Sequence, residues 1–201
     1  MSQQLSLPGS EGWPPQADRL FFAILLSADH AARIAELTQV LRFEHGLKTR
    51  PNPLECLHIS LQALGDYPGL PKNLVRTAKA AGASVSVPAF DVVLDRAMSF
   101  NRNGRKRPFV LRAGGDIPAL LALHEALGTA MKNAGLGRWA SPHFTPHMTL
   151  LYDHRIVMER EIQTVRWTVR DFALVHSLLG QTRYVQLARW PLQSAANSSA
   201  T

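Results

Sequence analysis

One four-residue pattern occurs twice in this chain, in two segments that alternate like β-strands. The first copy is His58-Ile59-Ser60-Leu61 and the second is His147-Met148-Thr149-Leu150. Successive side chains of a strand point to opposite faces, so the histidine and the hydroxyl residue of each copy share one face, while the apolar residues turn to the other. The chain must therefore fold with two strands that each bury an apolar face and present one imidazole beside one hydroxyl.

The surroundings of the two copies are also alike, since each follows a predicted strand and then a predicted helix. Apolar runs, helical periodicity and Pro or Gly at segment ends predict strands at 19–26, 57–64, 85–95, 107–113, 146–152, 168–179 and 182–191, and helices at 28–46, 71–81 and 117–134. This order predicts an α+β fold with internal pseudo-symmetry. We expect one domain over residues 19–191, between flexible tails at 1–18 and 192–201.

Composition narrows the partners and the compartment. The 201 residues include 22 Lys and Arg against 15 Asp and Glu, and the net charge of +7 either favours polyanions such as RNA or only keeps the chain soluble. The single cysteine, Cys56, excludes an intramolecular disulfide framework and a cysteine-based zinc site, and we expect it to be a packing residue. The apolar run Leu20–Leu26 is too short to cross a membrane, and no export signal precedes it. We therefore expect a cytoplasmic protein without a membrane partner, acting as a monomer.

Two imidazoles and two hydroxyls suffice for acid–base chemistry on a phosphodiester without a metal. Histidine titrates near pH 6.5, so a neutral ring can take a proton from water while a protonated ring gives one to the departing oxygen. The hydroxyls of Ser60 and Thr149 can bind phosphoryl oxygens, which gain charge in the transition state. A single His-x-Ser-Leu in a strand is usually chance, and the pattern alone leaves open whether the two copies share one site.

Other patterns are less specific. His143 and His147 have the spacing of a helical metal pair, but Pro142 and Pro146 disfavour a helix there, so no metal site is predicted. The basic stretch 102–107, at the tip of a predicted hairpin, is either a solvated loop or a surface that follows RNA phosphates.

Five further residues are candidate contacts for an RNA substrate. Phe22 and Tyr184 can stack a base, although aromatic side chains are more often part of a core. Arg105, Arg107 and Arg183 can pair with phosphates.

The paired motifs resemble those of the 2H phosphoesterases, and among them those of the bacterial RNA 2′,3′-cyclic phosphodiesterases, also called 2′-5′ RNA ligases. The segment Arg19–Ile24 is similar to the opening strand of that family, and Phe172–Trp190, which contains Arg183 and Tyr184, is similar to its closing hairpin. The resemblance covers roughly residues 19–191.

The resemblance implies a bilobal fold, in which two pseudo-symmetric lobes of antiparallel strands with outer helices enclose a central cleft. It implies hydrolysis of a 2′,3′-cyclic phosphate at an RNA end to a 2′-phosphate, without metal or other cofactor, and a possible reversible 2′-5′ ligation. His58 falls on the family's proton donor and His147 on its proton acceptor. Ser60 stands where many members have threonine, a change that keeps the hydroxyl donor, and Thr149 is its counterpart in the second motif.

Two alternatives remain open. The same chemistry can act on a small cyclic phosphate or on a 2′-5′ oligonucleotide. The chain can also be a non-catalytic module that binds RNA ends.

Overall fold

Apolar alternation along the chain produces strands that lie side by side in one antiparallel sheet. The structure, a computed structural model, describes residues 18–101 and 105–194, so most of both predicted tails and residues 102–104 of the basic stretch lie outside the described residues. The strands are β1 (Asp18–Leu25), β2 (His58–Tyr67), β3 (Phe90–Ser99), β4 (Arg107–Arg112), β5 (Met148–Asp153), β6 (Arg160–Val169), β7 (Asp171–Leu178) and β8 (Arg183–Pro191), and the helices are α1 (Ala28–Glu44), α2 (Lys72–Ala83) and α3 (Pro118–Asn133).

The strand order divides the sheet into two equivalent halves. The order is β6-β3-β4-β5-β2-β1-β7-β8, so each motif strand lies at the middle of the sheet, beside the strand that precedes it in the chain. The halves meet where β2 pairs with β5, and the registered pair is Ile59 with Met148. Ile59 and Met148 each follow a motif histidine, so a pseudo-twofold axis passes between these two paired residues. The predicted α+β fold with two pseudo-symmetric lobes is confirmed.

The first strand is buried on both faces, as predicted. Leu20, Phe22 and Ile24 enter the main core, where they join buried residues from all three helices. Phe21 and Ala23 form a small second cluster on the opposite face of the sheet. β1 therefore separates the main core from the face that carries the second cluster.

Helix α1 shows how the local sequence sets the elements that flank the motifs. Ser27 caps its N-terminus, since the Ser27 hydroxyl accepts a hydrogen bond from the His30 backbone N–H at 3.4 Å. Gly46, with a φ of +59°, ends it in the left-handed conformation that glycine adopts most easily. No helix within residues 18–101 and 105–194 is long and apolar enough to cross a membrane.

The structure differs from the sequence-based expectation at β6 and at the C-terminal end. β6 is absent from the prediction although Val165, Trp167 and Val169 alternate with polar residues, because its first half, 160–164, is an exposed edge with one apolar residue. At the end of the chain, Leu192 is buried and the Gln193 backbone N–H donates to the Val87 carbonyl at 2.9 Å. The packed chain therefore continues past residue 191 into the predicted tail.

Candidate active site

The pairing of the two motif strands brings their polar residues together. Ile59 and Met148 are both 0% exposed and lie in the main core. Their register, extended by one residue each way, places His58 opposite Thr149 and His147 opposite Ser60. The two histidines are then diagonal neighbours on the face opposite the core, a relationship that corresponds to about 7–8 Å between backbones.

The same type of hydrogen bond, from Nδ1 to a backbone carbonyl two residues earlier, orients both histidines. Nδ1 of His58 lies 2.8 Å from the Cys56 carbonyl oxygen, and Nδ1 of His147 lies 2.7 Å from the Thr145 carbonyl oxygen. A carbonyl oxygen only accepts, so each Nδ1 carries a hydrogen and Nε2 is the nitrogen that exchanges protons. Nε2 of His58 lies 3.0 Å from the Ser60 hydroxyl oxygen.

The leucine of each motif copy is a β-bulge. Between β1 and β2 the register passes from Ala23 opposite Ser60 to Phe22 opposite Gln62, which leaves Leu61 as the extra residue. Between β4 and β5 the same shift leaves Leu150 as the extra residue. A bulge bends its strand and leaves the extra residue unpaired. Both motif strands therefore bend directly after their hydroxyl residue, in agreement with the single registered pair between β2 and β5.

Aromatic rings flank both imidazoles. The His58 ring centroid lies 5.0 Å from that of Phe21 and 5.4 Å from that of Tyr184. The His147 ring centroid lies 4.8 Å from that of Phe100, in an edge-to-face arrangement. Of the predicted aromatic contacts, the structure thus places Tyr184 beside a motif histidine.

Phe22, a predicted contact for the substrate, lies in the main core and not beside the motif histidines. Phe22 is 0% exposed and packs against Phe172 and Trp190 in the main core. Its neighbour Phe21 points to the opposite face and touches His58. A continuous apolar run gives no signal for which of its residues faces the core, and the register to β2 supplies that information.

The predicted arginines lie at different distances from the histidines. Arg183 begins β8 immediately before Tyr184 and is exposed. Arg107 lies opposite Asp153 in the backbone register of β4 and β5, at the far end of β5. Asp153 is six residues from His147, which corresponds to about 20 Å at the rise of a strand. The Arg105 carbonyl accepts a hydrogen bond from His154 in the same region. Arg105 and Arg107 therefore belong to a separate basic surface.

Burial shifts the acid–base properties of the site. It lowers the pKa of His58, the neighbouring His147 lowers it further, and the hydrogen bond to the Cys56 carbonyl partly opposes both effects. Burial also raises the pKa of Tyr184 to about 12, so its hydroxyl keeps its proton at neutral pH. His58 is therefore mainly neutral at pH 7 in the free protein.

Cys56 has the packing role that was predicted. It is buried, and its Sγ lies 3.6 Å from the Thr182 carbonyl oxygen, which connects the turn before β8 to the start of the first motif. Burial raises the pKa of the thiol, which disfavours a nucleophilic thiolate. Within the described ranges, no group of three or more His, Cys, Asp or Glu residues is placed to hold a metal ion.

Comparison with known proteins decides the family. The family model described as the 2′-5′ RNA ligase superfamily matches residues 24–181, which include both motifs. The chain belongs to the 2′-5′ RNA ligase superfamily. No curated protein matches it.

Solved structures of similar proteins have the same fold as this chain. Escherichia coli LigT in its apo form is 27% identical, with a TM-score of 0.64, over 89% of this chain and 99% of LigT. A protein of Thermus thermophilus is 25% identical, with a TM-score of 0.68, over 88% of this chain and 98% of its own. A structure described as a phosphoesterase is 26% identical, with a TM-score of 0.66, over 90% of this chain and 99% of its own.

Proposed function

We propose that this superfamily member hydrolyses RNA 2′,3′-cyclic phosphate ends to 2′-phosphates without a metal ion. The observation that carries this proposal is the pairing of Ile59 with Met148, which sets the two motif histidines diagonally on the face opposite the main core. Each ring is held through Nδ1 by a carbonyl oxygen, so Nε2 is the nitrogen of each ring that can exchange a proton. This arrangement supports one acid and one base acting on a single phosphorus.

The proposed reaction uses each imidazole once. Nε2 of His147 takes a proton from a water molecule, whose oxygen attacks phosphorus while the bond from phosphorus to the ribose 3′-oxygen breaks. Nε2 of His58 gives its proton to that 3′-oxygen, so the phosphate remains on the 2′-oxygen. The Ser60 and Thr149 hydroxyls donate to the non-bridging oxygens as their charge increases. When the 5′-hydroxyl of a second RNA replaces water, the same steps form a 2′-5′ linkage.

The relatives support a phosphate and nucleotide site. Escherichia coli LigT has been crystallised with phosphate and with 3′-AMP. In this chain the half-buried rings of Tyr184 and Phe100 beside the two histidines offer apolar surfaces for a base or ribose.

The direct test is turnover of a defined substrate. We expect the protein, in excess EDTA, to convert an oligonucleotide ending in a 2′,3′-cyclic phosphate to the 2′-phosphate, identified by ³¹P NMR against 2′- and 3′-phosphate standards. A 3′-phosphate product, or binding without turnover, would contradict the proposal, and the second result would favour the RNA-end-binding module. Comparing kcat/KM for a decamer and a cyclic mononucleotide separates RNA from small cyclic phosphates, since equal values would show no use of the basic surface around Arg105 and Arg107.

The lowered pKa of His58 predicts that kcat/KM is highest at acidic pH. As proton donor, His58 must be protonated in the free enzyme, so kcat/KM should fall about tenfold per pH unit above its pKa, which lies below the usual value of about 6.5. Bound phosphate is anionic and favours the imidazolium, so the corresponding decline in kcat should begin at higher pH. The measurement is the pH dependence of both constants between pH 5 and 9.

His58→Gln serves as the control for that profile. Its residual kcat/KM should lack the decline at high pH, because the titrating donor is absent. A wild-type kcat/KM that stays level from pH 6.5 to 9 would assign His58 the role of base instead.

A further inference from the structure

The two halves of the sheet are joined by little direct strand pairing at the point where catalysis requires a fixed spacing. Ile59 with Met148 is the registered pair between β2 and β5, and both strands bulge immediately afterwards. Acid–base catalysis on one phosphorus depends on the separation of His58 and His147, and a misplacement of about 1 Å can lower a rate about 100-fold. Side chains that bridge the two motif strands are therefore of particular interest.

One bridge runs from the segment before the first motif to the strand of the second. Nδ2 of Asn52 donates to the Thr149 carbonyl at 3.0 Å. The Asn52 backbone N–H donates to the Leu150 carbonyl at 2.7 Å. Leu150 is the bulge residue of β5, so Asn52 satisfies a backbone group near the disrupted part of the strand ladder.

The second bridge runs the opposite way, from the segment before the second motif to the strand of the first. Oε1 of Gln62 accepts from the Ser141 backbone N–H at 2.9 Å, and Nε2 of Gln62 donates to the Ser141 carbonyl at 3.1 Å. The side-chain amide thus pairs with the backbone of one residue through both of its ends. Gln62 is 2% exposed, so water does not readily replace these bonds.

His124 of α3 completes the second bridge. Its ring nitrogens each lie 2.9 Å from a carbonyl oxygen, Nδ1 from that of Leu61 and Nε2 from that of Ser141. The ring donates to one of these oxygens when neutral and to both when protonated. Leu61 is the bulge residue of β2, so each bridge reaches the bulge carbonyl of one motif strand.

We propose that Asn52 and the pair Gln62–His124 are positioning residues that set the separation of the two motif histidines. The two bridges are related by the same pseudo-twofold axis as the motifs, because each connects the segment before one motif to the strand of the other. The bridging atoms of Asn52, Gln62 and His124 do not contact the face on which the reaction occurs. These residues therefore act on the histidines through the backbones of the motif strands. The consequence for rate rests on the proposed hydrolysis, whereas the consequence for geometry does not.

The kinetic test uses Asn52→Ala, Gln62→Leu and the double variant. Each single variant should lower kcat about 10-fold or more for the cyclic-phosphate oligonucleotide, and the double variant more, while KM changes less than about threefold. Gln62→Glu keeps the acceptor for the Ser141 N–H and should recover part of the loss. Thr38→Val is the matched control, since it removes a buried hydrogen bond to the Ile34 carbonyl inside α1 and should leave kcat unchanged.

A second readout does not depend on activity. His147→Gln removes the charge that lowers the His58 titration midpoint, so the shift it causes in the NMR titration of His58 measures the coupling between the rings. This shift should be present in the wild-type and Thr38→Val backgrounds and reduced when Asn52 and Gln62 are both replaced. An undiminished shift together with unchanged kcat would overturn the positioning role. If the wild-type protein does not hydrolyse the substrate, the proposed function fails, and the coupling measurement alone decides this proposal.

Discussion

Replacing either motif histidine with alanine is expected to lower kcat/KM for a 2′,3′-cyclic-phosphate oligonucleotide by about 10²–10⁴-fold. Each imidazole is held by the backbone carbonyl two residues before it and faces away from the main core, so its removal leaves the fold in place while eliminating one proton-transfer group. Steady-state kinetics on His58→Ala and His147→Ala measure the loss. His154→Ala is the control, because that exposed histidine lies beyond the far end of β5 and should retain wild-type activity.

The two variants should differ on a substrate whose leaving group needs no proton. In a nitrophenyl phosphodiester the leaving phenolate is stable at neutral pH, so the contribution of a general acid is small. We expect His58→Ala to lose much less activity on this substrate than on the cyclic phosphate, and His147→Ala to lose about the same on both. The reverse pattern would exchange donor and acceptor, and equal losses in all four measurements would contradict the division of roles.

The parts of the site that depend on local periodicity are predictable from the sequence. A strand repeats every two residues, so the pattern of His58 with Ser60 already places both side chains on one face, and the same holds for His147 with Thr149. The repeated order of strand, helix and motif strand likewise predicts the two equivalent halves. These features are local, and the family resemblance adds the expectation that the halves meet.

The parts that depend on register between distant strands are not predictable in this way. Phe21 and Phe22 are equivalent in sequence, and only the pairing of β1 with β2 and β7 shows that Phe21 faces His58. Asn52, Gln62 and His124 carry no motif, since their partners are backbone atoms at the two bulges and at Ser141. Their signal lies in the tertiary structure, where a buried amide must find partners for both of its ends.

The pseudo-symmetry explains the order of residue types in the duplicated tetrapeptide. Its second residue, Ile59 or Met148, is the core residue that pairs across the axis, and its leucine is the bulge residue that bends the strand. The histidine and the hydroxyl occupy the remaining positions on the opposite face. The tetrapeptide therefore combines one histidine–hydroxyl pair with the two backbone features that position it, the strand pairing across the axis and the β-bulge.

Asp153→Ala is expected to lower the free energy of unfolding by about 3 kcal/mol. The Asp153 carboxylate is 4% exposed and accepts the backbone N–H groups of Lys48 and Thr49 at 2.8 Å and that of Arg155 at 2.9 Å. These bonds tie the end of β5 to the segment that leads from α1 to the first motif. Removing the carboxylate leaves partly buried N–H groups without their acceptor, and the loss corresponds to a decrease in Tm of about 6–12 °C for a chain of this size.

The pH dependence of that loss provides the check. Burial alone would raise the pKa of Asp153, but the three N–H donors overcome it and hold the pKa well below its usual range. A carboxyl with a lowered pKa in the folded state stabilises the protein above its unfolded pKa of about 3.9, and this stabilisation is lost as the pH falls toward the folded value. In urea denaturation the difference between wild type and Asp153→Ala should therefore be constant from pH 7 to pH 5 and shrink below about pH 4. Asp153→Asn, which keeps the size and one acceptor oxygen, should lose less than Asp153→Ala at pH 7, and a difference that does not change with pH would show that the charge is not the source of the stabilisation.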